Sequence, residues 1–333
     1  MEVKKIIEKL AKVFGISSLS SAIQTTCNIE DIKKVCVEVA RQKFKPEQSF
    51  AVRCRRVGLH TYSSMDVCRE VGRQILNELF PLKLHVDLKN PQTEINIEIR
   101  EDSAFIFTET VKGVGGFPLG SQKKLVGLLS GGIDSSVACW FVMKRGCPLV
   151  PIYFDNAPFT DETTLNKAVE VAKKLGDWSI GFEQKMYIVP HGGNLDKIIT
   201  RAPRNLTCIL CKRTMYRIAE RIAEMEDAEG IVTGEAIGEQ ASQTIHNLRV
   251  LNMAVARYPV HRPLLGFDKN ETEQLARKIG TYEASIGKAT ACSAVPQKPT
   301  TQAKIEEVEE AESVLDIDRM VEESTANLKI INL

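Results

Sequence analysis

The sequence predicts an α/β protein with a small α/β domain and a larger domain built on a doubly wound parallel sheet. From residue 123 onward, short apolar runs alternate with segments of helical spacing, which is the pattern of a parallel sheet covered on both faces. The small residues of Ser130–Ser135 directly follow the first apolar run, at the kind of position where such sheets bind ligands. Residues 29–108 instead combine two helical segments with three consecutive strand-like runs, which indicates a separate domain.

The bulk composition is that of a globular protein, with 333 residues, 43% hydrophobic and 26% charged. This length suits about two domains. No apolar run approaches the roughly 18 residues that span a membrane, and the N-terminus lacks the apolar core of a signal peptide. We therefore expect a cytoplasmic protein without a membrane partner. The net charge of +1 excludes no class of partner.

Residues 1–20 are the first segment of the chain. Helical spacing predicts a helix over 3–14, and a short strand is predicted over 16–22. One helix and one strand cannot bury their apolar faces alone. We therefore interpret this segment as the remnant of a small N-terminal domain.

Residues 21–110 are predicted to form the small α/β domain. Helices are expected at 29–42 and 63–79, and strands at 49–56, 83–88, 94–101 and 103–108. On the first strand, Arg53, Arg55 and Arg56 are candidates for contacts with a phosphate backbone. A solvated basic face without a ligand is the alternative. The glycine-rich residues 111–122 that follow are expected to be a flexible linker.

Residues 123–302 are predicted to form the larger domain. Strands are expected at 125–129, 149–154, 185–190, 230–234 and 260–265, and helices at 134–145, 161–175, 194–201, 209–227, 242–256 and 270–279. Residues 303–333 are predicted to be a helical tail with an acidic, solvated face.

The segment Ser130–Ser135, with the sequence S-G-G-I-D-S, carries the strongest chemical signal. It lies between a predicted strand and a predicted helix, where free N–H groups and the helix dipole attract anions. Two glycines allow a phosphate to approach the backbone, and Ser130 and Ser135 add hydroxyl donors. Neither the Walker loop nor the dinucleotide pattern is present. An ordinary strand-to-helix turn is the alternative.

Two further segments follow predicted strands of the same sheet. Tyr153 and Phe154 end the second strand, where an aromatic ring can pack against a purine, although simple core packing is the alternative. Gly234 follows the fourth strand and would let the backbone approach a ligand, and Gln243 opens the next helix. A strand-to-helix loop without a catalytic role is the alternative there.

Three of the nine cysteines are candidate ligands. Cys208 and Cys211 form a C-x-x-C pair followed by Lys212, and Cys292 lies downstream. No second pair completes a structural zinc site, although a histidine could be recruited. An iron–sulfur cluster with one open iron matches three thiolates better, and a redox-active thiol pair beside Lys212 is a further alternative. The other six are interpreted as small core residues.

Two resemblances follow from these motifs. The order of elements in 21–110 resembles a THUMP domain, an RNA-binding module of tRNA-modifying enzymes, and Ser130–Ser135 resembles the PP-loop of ATP pyrophosphatases. In combination with G-F-P-L-G at 116–120, T-G-E-A at 233–236, S-Q-T at 242–244, R-P-L at 262–264 and Cys292, residues 13–304 resemble the tRNA 4-thiouridine synthetases. These tRNA sulfurtransferases modify uridine 8.

The resemblance implies an ATP-dependent reaction on tRNA in which O4 of uridine is adenylated and then replaced by sulfur. It implies that Asp134 is needed for adenylation, through Mg²⁺ or pyrophosphate, and that Cys292 carries sulfur. The phosphates of ATP would meet the loop residues Ser130, Gly131, Gly132 and Ser135. The remaining ATP contacts that it implies are Leu128, Leu129, Tyr153, Phe154, Lys212, Gly234 and Gln243.

The chain departs from the bacterial members in three respects. We expect no rhodanese domain after position 333, and we expect residues 1–20 to match only the last helix and strand of the N-terminal ferredoxin-like domain. Cys208 and Cys211 are additional and resemble the archaeal branch that uses a cluster. We therefore expect a [4Fe-4S] cluster on Cys208, Cys211 and Cys292, supplied by sulfide or a persulfide carrier. A persulfide on Cys292 that is resolved by Cys208 or Cys211 is the alternative.

Other functions and assemblies stay open at this point. They are 2-thiolation of a different tRNA uridine, sulfur transfer for thiamine thiazole synthesis, and a non-catalytic tRNA-binding module. A homodimer that presents two basic domains across two active sites is compatible with the sequence.

Overall fold

The computed structural model describes residues 2–333, which divide into two compact units. The first unit contains residues 2–12 and 16–114, and the second contains residues 13–15 and 115–333. Within residues 2–333, no helix has the length and apolar character needed to cross a membrane.

The first unit contains a mixed five-stranded sheet and a separate two-stranded ribbon. The strands of the unit are β1 (Ser18–Leu19), β2 (Ile23–Thr26), β3 (Ser49–Val57), β4 (His85–Val86), β5 (Thr93–Arg100), β6 (Ser103–Phe107) and β7 (Val111–Lys112). Its helices are α1 (Glu2–Leu10), α2 (Ile29–Lys43) and α3 (Ser64–Glu78). The sheet has the order β2-β6-β5-β3-β4, and β1 pairs with β7 in a separate ribbon.

Local sequence signals explain the two core helices of this unit. The Asn28 side chain accepts a hydrogen bond from the N–H of Glu30 and begins α2, while Ser63 and Asp66 form a capping box that begins α3. Both helices pack on one face of the sheet, where the apolar residues of β5 alternate with its more exposed positions. The predicted helices and long strands of this domain are therefore present.

The second unit contains the larger sheet. Its strands are β8 (Leu125–Leu128), β9 (Leu149–Asp155), β10 (Lys185–Pro190), β11 (Ile231–Val232), β12 (Val260–His261) and β13 (Lys329–Asn332). Its helices are α4 (Ile133–Lys144), α5 (Glu162–Gly176), α6 (Gly192–Arg201), α7 (Thr207–Met225), α8 (Ile245–Asn252), α9 (Lys269–Ile279), α10 (Tyr282–Ser285), α11 (Ile305–Ser313) and α12 (Ile317–Ala326).

The strand order of this sheet is β12-β11-β8-β9-β10-β13, and all neighbours except β10 and β13 are parallel. The chain runs outward from β8 through β9 to β10 and then returns to β11 on the other side of β8. The carboxyl end of β8 is therefore a topological switch point, where open α/β sheets bind ligands. The predicted doubly wound α/β fold is confirmed.

Several predicted elements differ from the observed ones. The strands predicted at 230–234 and 260–265 shorten to β11 and β12, because Gly234 packs against the start of α4 and Arg262 turns towards Glu235. The helix predicted at 242–256 splits, because Thr244 adopts an extended conformation and begins α8 with its side chain.

The tail at 303–333, predicted to be helical, contains the helices α11 and α12 but ends in a strand that was not predicted. This edge strand, β13, pairs antiparallel with β10. The buried residues Val308, Ala311 and Met320 join a core cluster of the second unit. Apolar residues at helical and strand spacing within this acidic segment explain why it packs instead of remaining solvated on every side.

Candidate active site

The segment Ser130–Ser135 forms a tight turn between β8 and α4. The hydroxyls of Ser130 and Ser135 are 3.2 Å apart, and the N–H groups of Ser130 and Gly132 donate to them. Gly132 is the N-cap of α4 and offers no side-chain acceptor. The first N–H groups of this helix are therefore available to an anion.

Two glycines hold the turn in place. Gly131 has a φ of +76°, and a Cβ there would lie 2.9 Å from the backbone nitrogen of Ala168 on α5. A Cβ on Gly234 would lie 2.4 Å from the backbone nitrogen of Ser135. Gly234 was expected to make room for a ligand, but in the structure it makes room for the turn itself. The carboxyl ends of β8 and β11 thus meet at one point, as predicted.

Asp134 lies in the first turn of α4 and forms an ion pair with Lys269. The Lys269 Nζ is 2.8 Å from Asp134 Oδ1 and 3.0 Å from Oδ2. Lys269 is the first residue of α9, and both side chains remain partly exposed to solvent. An ammonium group therefore lies beside the turn Ser130–Ser135, here called the phosphate-type turn. Without this group, the carboxylate of Asp134 would repel an anion bound there.

Two neighbouring clefts open beside the turn, and both are lined by Leu128, Ser130 and Met215. The first, here called the loop cleft, has a volume of about 230 Å³. Its other lining residues are Gly132, Asp134, Ser135, Lys212, Tyr216, Thr233, Gly234, Glu235, Gln240 and Gln243. The second, here called the thiol cleft, has a volume of about 260 Å³. Its other lining residues are Leu129, Ile152, Tyr153, Phe154, Asn156, Thr160, Thr164, Thr290 and Cys292.

Three buried side-chain atoms in these clefts have no hydrogen-bond partner within residues 2–333. They are Gln243 Oε1 in the loop cleft, and Asn156 Oδ1 and Thr160 Oγ1 in the thiol cleft. A buried polar atom without a partner is costly and usually marks a place for water or a ligand. Phe154 also packs edge-on against His191, so it serves the core as well as the cleft.

Glu235 fills the wall of the loop cleft and is buried. Its carboxylate accepts from Lys212 Nζ at 2.9 Å, Arg262 Nε at 2.8 Å and the Tyr216 hydroxyl at 2.6 Å. Burial acts to raise the pKa of Glu235, but the two cations and the hydrogen bonds outweigh it and lower the pKa to about 2. This network fixes the ammonium of Lys212 at the cleft.

Cys208 and Cys211 lie in the N-terminal part of α7, and Cys292 lies on the segment that follows α10. Each of Cys208 and Cys211 interacts electrostatically with Cys292, so the three thiols lie within electrostatic range of one another. Burial raises the pKa of Cys208 and Cys211, while the positive charge of Lys212 acts in the opposite direction. Thiolates at this site therefore need cationic or hydrogen-bonding support.

Among residues 2–333, no three His, Cys, Asp or Glu side chains converge closely enough to hold a single metal ion. Cys208, Cys211 and Cys292 interact electrostatically with one another, and thiolates are the ligands that iron–sulfur clusters take.

The three candidate RNA-binding arginines lie on β3 of the first unit. Arg53 donates to Glu94 and to the carbonyl of Leu88, and Arg56 donates to the carbonyl of Gly58. Arg55 is exposed, and the part of the chain described here offers it no hydrogen bond or ion pair. Arg53 and Arg55 share a face of the strand, whereas Arg56 points to the other face.

Comparison with known proteins identifies the family. The model of the family described as thiamine biosynthesis protein (ThiI) matches residues 120–317, and the THUMP domain model matches residues 27–109. A probable tRNA sulfurtransferase of Methanosarcina mazei is 40% identical over 97% of this chain and 80% of its own length. The chain belongs to the ThiI family.

Other relatives support the same assignment. A probable tRNA sulfurtransferase of Methanothermobacter thermautotrophicus is 40% identical over 97% of this chain and 83% of its own length. Among solved structures, a 4-thiouridine synthetase in complex with RNA and ATP is 34% identical, covers 97% of this chain and 85% of its own, and superposes with a TM-score of 0.91. The predicted family, the THUMP and PP-loop architecture and the enzyme class, a tRNA sulfurtransferase, are confirmed.

Some polar residues of this ThiI site were not predicted from the sequence. Lys269 is the first residue of α9, where the helix dipole disfavours a positive charge. A lysine at this unfavourable position was the sequence feature that could have indicated a functional role. Glu235 lies within a quoted motif, but only the fold reveals its two cationic partners. Asn156 and Thr160 follow β9 in a loop whose sequence gives no comparable signal.

The Glu235 network predicts a pH-dependent contribution to stability. The pKa of about 2 in the folded state lies below the ordinary value of 4.5, so the stabilisation is present above about pH 4.5 and is lost as the pH falls towards 2. Glu235→Gln should lower the free energy of unfolding at pH 7 by about 3 kcal/mol, because Lys212 and Arg262, which are only partly exposed, lose their partner. It should also flatten the dependence of stability on pH in that acidic range.

Denaturant unfolding measured at several pH values checks this result. Glu307→Gln is the matched control, because the pair of Glu307 with Lys304 is exposed. Equal stability losses in the two variants would contradict the assigned role of Glu235.

Proposed function

We propose that this ThiI-family chain uses ATP to activate uridine 8 of tRNA and replaces O4 by sulfur, giving 4-thiouridine. One observation carries the proposal: the thiol cleft is lined both by Ser130, the first residue of the phosphate-type turn, and by Cys292. A site for nucleotide activation and a site for sulfur delivery thus share one cavity. The related 4-thiouridine synthetase with RNA and ATP supports the same chemistry.

ATP is proposed to span the two clefts. Its phosphates meet the N–H groups and hydroxyls of Ser130–Ser135, and Lys212 and Lys269 add positive charge. The base and ribose lie along Leu128, Leu129, Tyr153 and Phe154. The unpartnered oxygens of Asn156, Thr160 and Gln243 are available to its polar groups. Together the clefts have the size expected of a small-molecule site.

The first chemical step is proposed to be attack of uridine O4 on the α-phosphate, with pyrophosphate as the leaving group. The turn stabilises charge that develops on the phosphates without reorganising, because its donors are already fixed. Asp134 orients the ammonium of Lys269 towards the leaving pyrophosphate. Mg²⁺ is expected to arrive bound to the phosphate oxygens of ATP, with Asp134 as the nearby carboxylate.

The second step is proposed to be attack of sulfide on C4, with AMP as the leaving group and no net oxidation or reduction. Cys208, Cys211 and Cys292 would hold the cluster, which supplies an open iron that can bind sulfide. The persulfide route needs two electrons, which Cys208 or Cys211 would provide by forming a disulfide with Cys292. Both routes make Cys292 essential.

A direct assay tests the proposed product and its position. An unmodified tRNA transcript is incubated with the anaerobically reconstituted enzyme, ATP and sulfide. Its nucleosides are then separated by liquid chromatography and identified by mass and by ultraviolet absorbance, which distinguishes 4-thiouridine from 2-thiouridine. We expect 4-thiouridine that requires both ATP and a uridine at position 8. A transcript with cytidine at position 8 is the control. A 2-thiouridine product, or 4-thiouridine in that control, would overturn the proposal.

The first unit is proposed to bind tRNA through β3, with Arg55 as the main contact. Arg55→Ala should weaken tRNA binding and reduce the slope of log affinity against log salt by about 1, as expected for one phosphate contact. Arg53→Ala and Arg56→Ala should have smaller effects, because both side chains are engaged within the unit. Binding measured at several salt concentrations checks this order.

A matched control is Lys173→Ala, which removes an exposed cation from the second unit. A loss of affinity in that variant equal to the loss in Arg55→Ala would contradict a specific role of β3. Pyrophosphate release at saturating tRNA should stay unchanged in all four variants.

A further inference from the structure

A buried chain of hydrogen bonds lies behind Cys211. His191 follows β10 directly and is fully buried, and its backbone N–H donates to the carbonyl of Asp155 at 2.8 Å. The imidazole Nε2 is 3.4 Å from Cys211 Sγ. On the other side of the ring, Nδ1 is 3.3 Å from Nδ2 of the buried Asn194. The ring thus bridges a candidate cluster ligand and an amide.

Ser324 on α12 determines which groups donate and which accept in this series of hydrogen bonds. Its hydroxyl donates to the carbonyl of Pro190 at 3.2 Å, so its oxygen accepts from Asn194 Nδ2 at 2.8 Å. One amide hydrogen is used there, and the other points to His191 Nδ1; the carbonyl of Met320, at 3.5 Å, is a longer contact. Nδ1 is therefore an acceptor, and Nε2 carries the ring proton.

Each ring nitrogen of the fully buried His191 has one polar neighbour, the amide of Asn194 at Nδ1 and the thiol of Cys211 at Nε2. With Nδ1 occupied as an acceptor, Nε2 can act only as a donor, and the sulfur of Cys211 is the group within its reach.

We propose that His191 is a positioning residue that donates a hydrogen bond from Nε2 to the sulfur of Cys211, with Asn194 and Ser324 fixing its tautomer. The consequence for a cluster rests on the proposed function, whereas the hydrogen bond belongs to the protein without a cluster. A donor to a ligating sulfur stabilises its negative charge, slows loss of the metal and raises the reduction potential of the cluster.

Nuclear magnetic resonance of the apo-protein with ¹⁵N-labelled histidine tests the hydrogen bond itself. The His191 signals, identified by their absence in His191→Gln, should report the Nε2–H tautomer near pH 7. Ser324→Ala should weaken that preference, because the amide of Asn194 loses its anchor. An Nδ1–H tautomer in the wild-type protein would overturn the proposal.

The protein reconstituted with its cluster allows a second test, through the rate of iron release and the reduction potential. His191→Phe should release iron to a chelator about 10- to 100-fold faster than the wild type and shift the cluster to a lower reduction potential. His191→Gln keeps an N–H donor and should recover part of both properties. His261→Gln is the control, since it removes an imidazole from β12 at the opposite edge of the sheet.

The two proposals fail in different ways. A wild-type protein that binds no iron after reconstitution contradicts the cluster of the proposed function, and the tautomer then decides the hydrogen bond alone. A folded His191→Phe variant with the iron-release rate and potential of the wild type contradicts the positioning role. If that variant does not fold, the same comparison is made with His191→Gln and Ser324→Ala.

Discussion

Asp134→Asn is expected to slow pyrophosphate release by about 10²- to 10³-fold, the size of effect seen when one preorganised charge is removed from an active site. Asparagine keeps the shape of the side chain but cannot neutralise Lys269, which approaches both carboxylate oxygens within 3.0 Å. The measurement is ATP- and tRNA-dependent pyrophosphate release. The affinity for tRNA should stay nearly constant, because the proposed tRNA contacts lie in the other unit.

A double-mutant cycle separates an effect through Lys269 from a direct effect of Asp134. If the carboxylate acts by orienting the ammonium, then Lys269→Met should cost about as much as Asp134→Asn, and the double variant should cost little more. Multiplicative losses would show that the two residues act independently. Lys278→Met, an exposed change in the last turn of α9, is the control.

Cys292→Ala is expected to abolish 4-thiouridine formation while leaving pyrophosphate release within a few-fold of the wild type. The reason is that Cys292 lines the thiol cleft but is not part of the phosphate-type turn. Cys208→Ala and Cys211→Ala should also lose the product, together with iron and acid-labile sulfide. Nucleoside analysis and metal analysis of anaerobically purified protein measure these outcomes.

Cys147→Ala is the matched control, because it removes a half-buried thiol of the same unit that lies outside both clefts. It should retain product and iron. Zinc at one per chain without iron in the wild type would contradict the cluster, and full activity of Cys208→Ala would contradict its role in either sulfur route.

The elements that the sequence predicted well are those whose signals are local. The turn at Ser130–Ser135 was readable because its glycines, hydroxyls and preceding apolar run are adjacent in the chain. The long strands β3 and β5 and the helices α2 and α3 were readable from the periodicity of their apolar residues. In each case, short-range chemistry alone decides the structure.

The features that could not be predicted depend on partners distant in sequence. Lys269 meets Asp134 across 135 residues, and Ser324 meets Asn194 across 130 residues. Neither contact has a periodic signature, so only the topology of the sheet brings them together. The strand β13 was missed for the same reason, since a strand of four residues gains its stability from pairing with β10.

The packing of α11 against α7 has a consequence for protein synthesis. Glu312 forms ion pairs with Arg213, which is buried, and with Arg217, one turn further along the helix that bears Cys208 and Cys211. While a ribosome is still translating residues 305–332, these arginines have no carboxylate partner and β10 has no neighbour on its outer side. The helix that bears the two thiols therefore reaches its final packing only after residues 305–332 have folded against it and against β10.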